Sequence, residues 1–281
     1  MVPAAPQRSE LREAMLTISE DGVAEFTHRR PEARNALSPE LKKDYGELLD
    51  RLSGDLSIRA LILTGAGGSF CAGGDIKAMV GRLESDEADL NSPDYIRRGI
   101  DLAQRLLMRL RDLDVPVIAA VDGPAYGAGF GLALQADFLL ASDRAAFCMS
   151  FAKIGAVPDY GAAYTLPRIV GMARAKEIVL TARRIAAQEG VALGFVHSVH
   201  APDDLLPFAR RMARRFANGP REAFGLAKRM LNASFESDYA SLASMEACAQ
   251  AVCLNSAYHR QAAHRFVSRQ PALYDWDAET D

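Results

Sequence analysis

The sequence predicts an α/β fold in which two strands and a helix recur, followed by a C-terminal region made of helices alone. Three observations point there. Short apolar runs of strand length alternate with helix-length amphipathic stretches through residues 13–204. Two of those runs end in glycine-rich turns that open directly into helix-forming sequence. Across residues 205–281 the pattern changes, and three helices account for what remains. Residues 1–12 read as a flexible tail. The recurrence is one of pattern only, because no sequence repeat is visible.

Taken in order, Met15–Ser19 and Val23–Arg29 read as strands joined by Glu20-Asp21-Gly22, where Asp-Gly is a turn signal. Ser38-Pro39-Glu40 reads as a helix start, with Ser38 as N-cap, Pro39 first in the helix and Glu40 at its positive end. That helix runs to about Leu52. Arg59–Thr64 is a buried strand, and a helix is expected around Ile96–Leu113. The polar stretch between, Glu84–Asp94, suits a mobile lid. Val117–Val121 is the next strand, with a short helix beginning near Gly129. Strands are expected at Phe138–Ala141 and Ala146–Met149, then helices at Gly161–Val170 and Ala173–Thr181. The final helices lie near Leu205–Ala217, Pro220–Ser234 and Tyr239–Ser268.

Composition narrows the function. Of 281 residues, 49% are hydrophobic and 25% charged, enough for one large core. The net charge of −3 gives no basic excess for nucleic acid or a membrane surface. Arg210, Arg211, Arg214 and Arg215 read as a solvated helix face. Cys71, Cys148, Cys248 and Cys253 form no metal-ligand spacing and read as buried free thiols in a reducing cytoplasm. The five histidines show no ligand pattern, and no metal or redox cofactor is implied; His197 and His200 read as flanking a surface strand or turn. No apolar run reaches membrane-spanning length, and Met1–Arg12 lacks the apolar segment of a signal peptide.

The two glycine turns carry the chemistry. One is Thr64–Ile76, containing Gly65-Ala66-Gly67-Gly68 and Ala72-Gly73-Gly74; the other is Asp122–Gly129. A strand, a glycine turn and a helix start expose main-chain N–H groups at a positive helix end. The first turn lacks the Gly-Lys-Ser/Thr ending of a phosphate loop. It also lacks the acidic residue that completes a dinucleotide fingerprint.

Four blocks occur together in order: Arg30–Leu37, Ser69–Ile76, Pro116–Gly129 and Lys153–Gly161. Through them the chain resembles the crotonase superfamily, the enoyl-CoA hydratase/isomerases, over about Met15 to Trp276. The resemblance implies a crotonase-like spiral of ββα units with a C-terminal helical trimerisation region. The partners it implies are an acyl-CoA thioester and further copies of the chain, as a homotrimer or a dimer of trimers. Coenzyme A would enter as part of the substrate, with no separate cofactor. The donors to the thioester oxygen would be the N–H groups of Gly74 and Ala128. CoA would lie along Ala33, Arg34 and Asn35, and along Ala72, Gly73, Asp75 and Ile76, mostly through main-chain contacts. Arg34 and Lys77 are candidate phosphate partners. Arg269 sits near a family position that faces a neighbour's CoA. Asp75 also suits a helix N-cap.

The resemblance also marks a departure. Hydratases of the family use two glutamates to hold and activate water, and here those positions are Gly131 and Phe151. Neither can move a proton. Asp159, eight residues beyond Phe151, occupies a position that is aspartate in several isomerases, and the surrounding stretch looks most like phenylacetate-pathway isomerases acting on ring-epoxide and enoyl-CoA substrates. A single acid/base suffices to shift a double bond, and Asp159 is the candidate; a turn or cap role is the structural alternative. Phe130, Gly131, Phe151, Tyr160 and Tyr164 are candidate walls of an apolar acyl pocket, with core packing the alternative for Phe130 and Phe151. The expected activity is acyl-CoA isomerase, with enoyl-CoA hydratase as the alternative. A hydrolase using Asp159 as nucleophile lacks a nearby histidine and tryptophan, and a non-catalytic CoA- or RNA-binding scaffold remains the reading from another class.

Overall fold

The computed structural model describes residues 6–277. Strands β1 (Gln7–Glu10), β2 (Ala14–Ile18) and β3 (Val23–His28) form an antiparallel meander. Helix α1 (Pro39–Gly54) begins at Ser38, whose hydroxyl accepts from the Leu41 N–H at 3.0 Å. It leads to β4 (Ala60–Gly65). Helices α2 (Ile76–Leu83) and α3 (Pro93–Arg111) separate β4 from β5 (Val117–Val121). Then come β6 (Pro124–Tyr126), α4 (Ala128–Ala133), β7 (Phe138–Ser142), β8 (Ala146–Cys148), α5 (Ala162–Val170) and α6 (Met172–Thr181). The spiral closes with β9 (Ile185–Ala186), α7 (Ala187–Leu193) and β10 (Ser198–His200), so His200 ends an edge strand and His197 immediately precedes it. Helices α8 (Pro202–Ala217), α9 (Arg221–Ala233), α10 (Tyr239–Leu254) and α11 (Ala257–Val267) follow.

The strands form a seven-stranded sheet ordered β1-β2-β3-β4-β5-β7-β10 and a three-stranded sheet ordered β6-β8-β9. From β3 onward the large sheet is parallel. Each turn of the spiral gives one strand to each sheet and then a helix: β5, β6, α4, then β7, β8, α5. The turn before these is reduced, because Cys71 alone bridges to Ala125 in the small sheet. Every residue of β5 is buried, as expected of a parallel strand covered on both faces. One face meets the small sheet and α1, α3 and α4. The other is sealed by α8 through Leu205, Ala209, Met212 and Phe216, so the first helix expected in the C-terminal region belongs to the core.

Several expectations change. Residues 7–10 of the expected tail pair with β2 along their whole length, while residues 1–5 lie outside the described residues. Helix α2 follows the Asp75 cap suggested by the sequence, and its apolar residues Ile76, Met79, Val80 and Leu83, though spaced as one helical face, are exposed. The Glu84–Asp94 stretch is tied down: Arg82 donates to the Leu90 carbonyl at 3.1 Å and Asn91 to that of Arg82 at 2.8 Å. The last expected helix breaks in two where Ser256 caps α11 by accepting from the His259 N–H at 3.0 Å. Cys71 and Cys148 are buried, but Cys248 is exposed and Cys253 half-exposed, because α10 has one buried residue, Ala249. Among the described residues no helix is long and apolar enough to cross a membrane.

The β1–β2 turn is fastened to α1 by a buried carboxylate. Asp44 accepts from the Glu13 N–H at 2.7 Å, the Arg12 N–H at 3.2 Å and the Arg12 guanidinium at 2.9 Å. Removing it leaves those donors unmatched. Asp44→Ala is expected to lower stability by about 2–4 kcal/mol in urea unfolding; a change below about 0.5 kcal/mol would refute this role.

Candidate active site

Three chain segments far apart in sequence are laced together by main-chain hydrogen bonds. Ala72 N–H donates to the Arg34 carbonyl at 3.0 Å and Leu37 N–H to that of Gly73 at 2.8 Å. Cys71 N–H donates to the Pro124 carbonyl at 3.1 Å, and Tyr126 N–H to that of Cys71 at 3.0 Å. The two glycine turns therefore lie side by side. A Cβ on Gly73 would stand 2.7 Å from the Tyr126 carbonyl oxygen and 3.6 Å from the Ala128 nitrogen, and the residue holds φ +98°. Only glycine fits that backbone in that space.

The lacing leaves donors over. Ala128 is the first residue of α4, where no intrahelical acceptor exists for its N–H. Among the described residues, neither this N–H nor that of Gly74 donates to a main-chain acceptor.

Asn35 and Asp75 hold the segments in place. Asn35, fully buried at φ +55°, accepts from the Arg30 N–H at 2.9 Å and donates to the Ala66 and Ser69 carbonyls at 2.9 and 2.6 Å. Its side chain is thus spent on the fold, leaving only its main chain for a ligand. Asp75 caps α2 through the Ala78 N–H at 3.1 Å and pairs with Arg30 at 2.8 Å, an arginine that sequence reasoning passed over. Ala33 and Ala72 are half-buried beside exposed Arg34, Ile76 and Lys77 on the outer rim.

Asp159 is half-buried, and its Oδ1 has no hydrogen-bond partner. Burial pushes its carboxyl up to about 6, against the pull of the Lys42 charge. It packs on α4 through its main chain: a Cβ on Gly131 would meet Tyr160 Cβ at 2.9 Å, the Tyr160 oxygen at 3.0 Å and the Asp159 oxygen at 3.2 Å. Gln135, one turn along, donates to the Tyr160 carbonyl at 3.1 Å. A glutamate at 131 and the observed course of residues 159–160 exclude each other. Phe151 is buried, and its ring edge lies 3.8 Å from where a Gly127 Cβ would be, so the other carboxylate position is filled with hydrocarbon against the second turn.

The expected pocket walls separate into two groups. Tyr160, with Lys42, Tyr45 and leucines of α3 and α4, lines a cavity of about 20 Å³. Phe130 does not line it: fully buried, it packs on Phe147 and Phe195 with ring centroids 5.1 and 5.0 Å apart. Tyr164 is also no apolar wall. The Arg168 guanidinium stacks 3.6 Å from its ring centroid and Arg111 donates to its hydroxyl at 3.3 Å, in a cluster facing α9. Gly131 is not part of that lining and is packed tight against residues 159–160. Lys42, which the sequence reading omitted, is half-buried among these groups. Among the described residues no group of three or more His, Cys, Asp or Glu side chains is arranged to hold a metal.

A two-sheet spiral with free main-chain donors on adjacent loops and one raised carboxyl beside them defines the class of acyl-thioester enzymes built on this scaffold. The chain belongs to the enoyl-CoA hydratase/isomerase family, the crotonase superfamily, whose family model matches residues 19–277. The 1,2-epoxyphenylacetyl-CoA isomerase of Escherichia coli K12 is 32% identical over 260 residues, covering 92% of this chain and 97% of that one. The short-chain-enoyl-CoA hydratase of Clostridium acetobutylicum is 32% identical over 252 residues, covering 89% and 93%. The crystal structure of an enoyl-CoA hydratase/isomerase from Cupriavidus metallidurans CH34 superposes with a TM-score of 0.90 at 35% identity, over 97% of this chain and all of that one.

Gly131→Glu restores a hydratase-type carboxylate in the wrong surroundings. It is expected to cost about 1–3 kcal/mol of stability by overpacking and to yield no hydration of 2-enoyl-CoA. A variant as stable as the parent that hydrates crotonyl-CoA would refute the packing argument.

Proposed function

We propose that the protein is an acyl-CoA isomerase that shifts a double bond, or rearranges a ring-epoxide acyl-CoA, through a thioester enolate. The observation that carries the reading is Asp159: a lone half-buried carboxyl with an unpaired oxygen, seated on the helix whose first N–H is free. The thioester oxygen accepts from the N–H groups of Gly74 and Ala128. Asp159 as carboxylate takes a proton from the carbon next to the thioester carbonyl, and the electron pair moves onto that oxygen. Fixed donors need no reorganisation as the charge forms, and losing one typically costs about 10²–10³ in rate. The protonated Asp159 then returns the proton to the far carbon of the former double bond, which leaves the 2-enoyl thioester. Burial suits the shuttle, since a carboxyl near 6 holds and releases protons near neutrality.

Coenzyme A enters with the substrate, along Ala33–Asn35 and Ala72–Lys77, and the reaction calls on no further cofactor. Hydratase is the weaker reading because Gly131 and Phe151 supply no second acid or base. The oligomer belongs to the same proposal. Helices α10 and α11 expose Val252, Leu254, Phe266 and Val267, a surface that suits a homotrimer or a dimer of trimers. Sedimentation of a monomer at micromolar concentration would exclude it.

Asp159→Asn is expected to slow conversion of 3-enoyl-CoA to absorbing 2-enoyl-CoA by about 10²–10⁴-fold, with thioester affinity nearly unchanged. An unslowed variant, or a parent that consumes 2-enoyl-CoA in water, refutes the reading. Parent kcat/KM should rise with pH through about 6, as the base loses its proton. The stability sign is opposite to that of a paired carboxylate. A carboxyl raised on folding carries no penalty below its ordinary value of 3.8 and the whole penalty above about 6. Asp159→Asn should therefore melt higher than the parent near neutral pH, with the difference vanishing in acid.

A further inference from the structure

Helix α2 follows directly on Gly74, one of the two proposed donors, yet no core packing seats it. It buries none of its residues. The hydrogen bonds of Arg82 join it only to residues 90–91, in the segment that follows. Among the described residues, one side-chain hydrogen bond ties residues 74–83 to the body of the protein: Arg30 Nη2 donates to Asp75 Oδ2 at 2.8 Å.

That pair is braced on both sides. Asp75, its side chain only 12% exposed, also caps α2, with Oδ1 accepting from the Ala78 N–H at 3.1 Å. Arg30 Nη1 lies 3.5 Å from Glu13, which accepts from the hydroxyl of Ser38 at the start of α1. The Arg30 carbonyl accepts from the Ala33 and Asn35 N–H groups at 3.1 and 2.9 Å. One arginine therefore joins residues 33–35 to the start of α2.

Gly74 sits between two fixed points. Before it, the Gly73 carbonyl is spent on the Leu37 N–H at 2.8 Å. In a trans peptide the next N–H points the opposite way, so the Gly74 N–H is turned from Leu37. After it comes Asp75, held by its two oxygens. The Met79 methyl also rests on Gly74, 2.5 Å from where a Cβ would stand. A shift of α2 thus reaches Gly74 through packing as well as along the chain.

We infer that Arg30 is a positioning residue: through Asp75 it holds the Gly74 N–H on the line along which it meets the thioester oxygen. The inference deepens the proposed acyl-thioester site and rests on it. Without the guanidinium a mostly buried carboxylate loses its counter-charge. It turns toward water, the cap loosens and the donor drifts. A misplacement of about 1 Å can cost about 10² in rate.

Acetoacetyl-CoA reads the donors without turnover. It loses a proton from the carbon between its carbonyls, the electron pair spreads onto their oxygens, and the enolate absorbs in the near ultraviolet. Donors aimed at the thioester oxygen lower the enolisation pKa of the bound compound. The measurement is an equilibrium at saturation, so neither affinity nor the rate at which Asp159 moves a proton enters it. The full-length parent is compared with Arg30→Met, Arg30→Lys, Asp75→Asn and Glu32→Gln, each checked by thermal melting. Arg30→Met should raise the enolisation pKa by about one unit, a loss of about tenfold in enolate stabilisation. Arg30→Lys should recover part of it. Asp75→Asn keeps a capping side chain but drops the charge of the pair, and should behave as Arg30→Met does. Glu32→Gln alters only an exposed carboxylate 3.8 Å from Arg30, and should behave as the parent does. An Arg30→Met protein that melts lower but enolises as the parent does has lost stability alone, which overturns the inference. So does a loss that Asp75→Asn does not share. Should Arg30→Met fail to fold, Asp75→Asn decides in its place. A parent that leaves the enolisation pKa at its value in water refutes the acyl-thioester site and this inference with it, whereas a parent effect that every variant keeps refutes this inference alone.

Discussion

Main-chain pairing between segments distant in sequence is what the rest of this molecule depends on. The Ala72 to Arg34, Leu37 to Gly73 and Tyr126 to Cys71 hydrogen bonds pull together a loop after β3, a loop after β4 and the short strand β6 that follows β5. Side chains would be too variable in length to fix such a junction; amides at fixed spacing are not. The order of the large sheet supplies the frame, because β3, β4 and β5 are parallel neighbours and their C-terminal ends emerge together. Ligands on open parallel sheets gather at those ends for this reason. The buried Asn35 then anchors the loop after β4 from inside.

The surroundings of Asp159 are set by packing. At Gly131 the lack of a side chain admits the Asp159–Tyr160 backbone, and at Phe151 a ring replaces a carboxylate. Burial of the Asp159 carboxyl is what raises it. Lys42 moderates the effect: its positive charge keeps Asp159 from being driven further from its ionised form.

Much of this was legible in the sequence. The buried strands β4 and β5, the Ser38 cap and the Asp75 cap followed from local rules, since apolar runs and short polar side chains at helix starts have few alternatives. The glycine turns stood out because each follows an apolar strand and opens into helix-forming sequence, and Asp159 was found through family resemblance. What escaped has physical reasons. The Gln7–Glu10 strand is polar and exposed throughout, so no periodicity marks it. Tyr164 and Phe130 are aromatic, and nothing in one dimension tells a ring stacked on arginine from one packed among phenylalanines. Lys42 did leave a signal: it lies three residues before Tyr45 and seven before Leu49, on the buried side of α1, where a lysine is out of place.

The stretch around Trp276 has a use of its own. Trp276, the sole tryptophan, lies 5.0 Å from the ring of Phe216, with the Arg215 guanidinium 5.5 Å over its face. Tyr274 meets Phe224 beside it at 5.3 Å. The indole emission of this protein therefore comes from one place, where residues 274–276 fold back over α8 and α9. It is a natural optical reporter of how firmly residues 274–276 are seated, and it is silent about the cavity beside Tyr160, whose lining holds no indole.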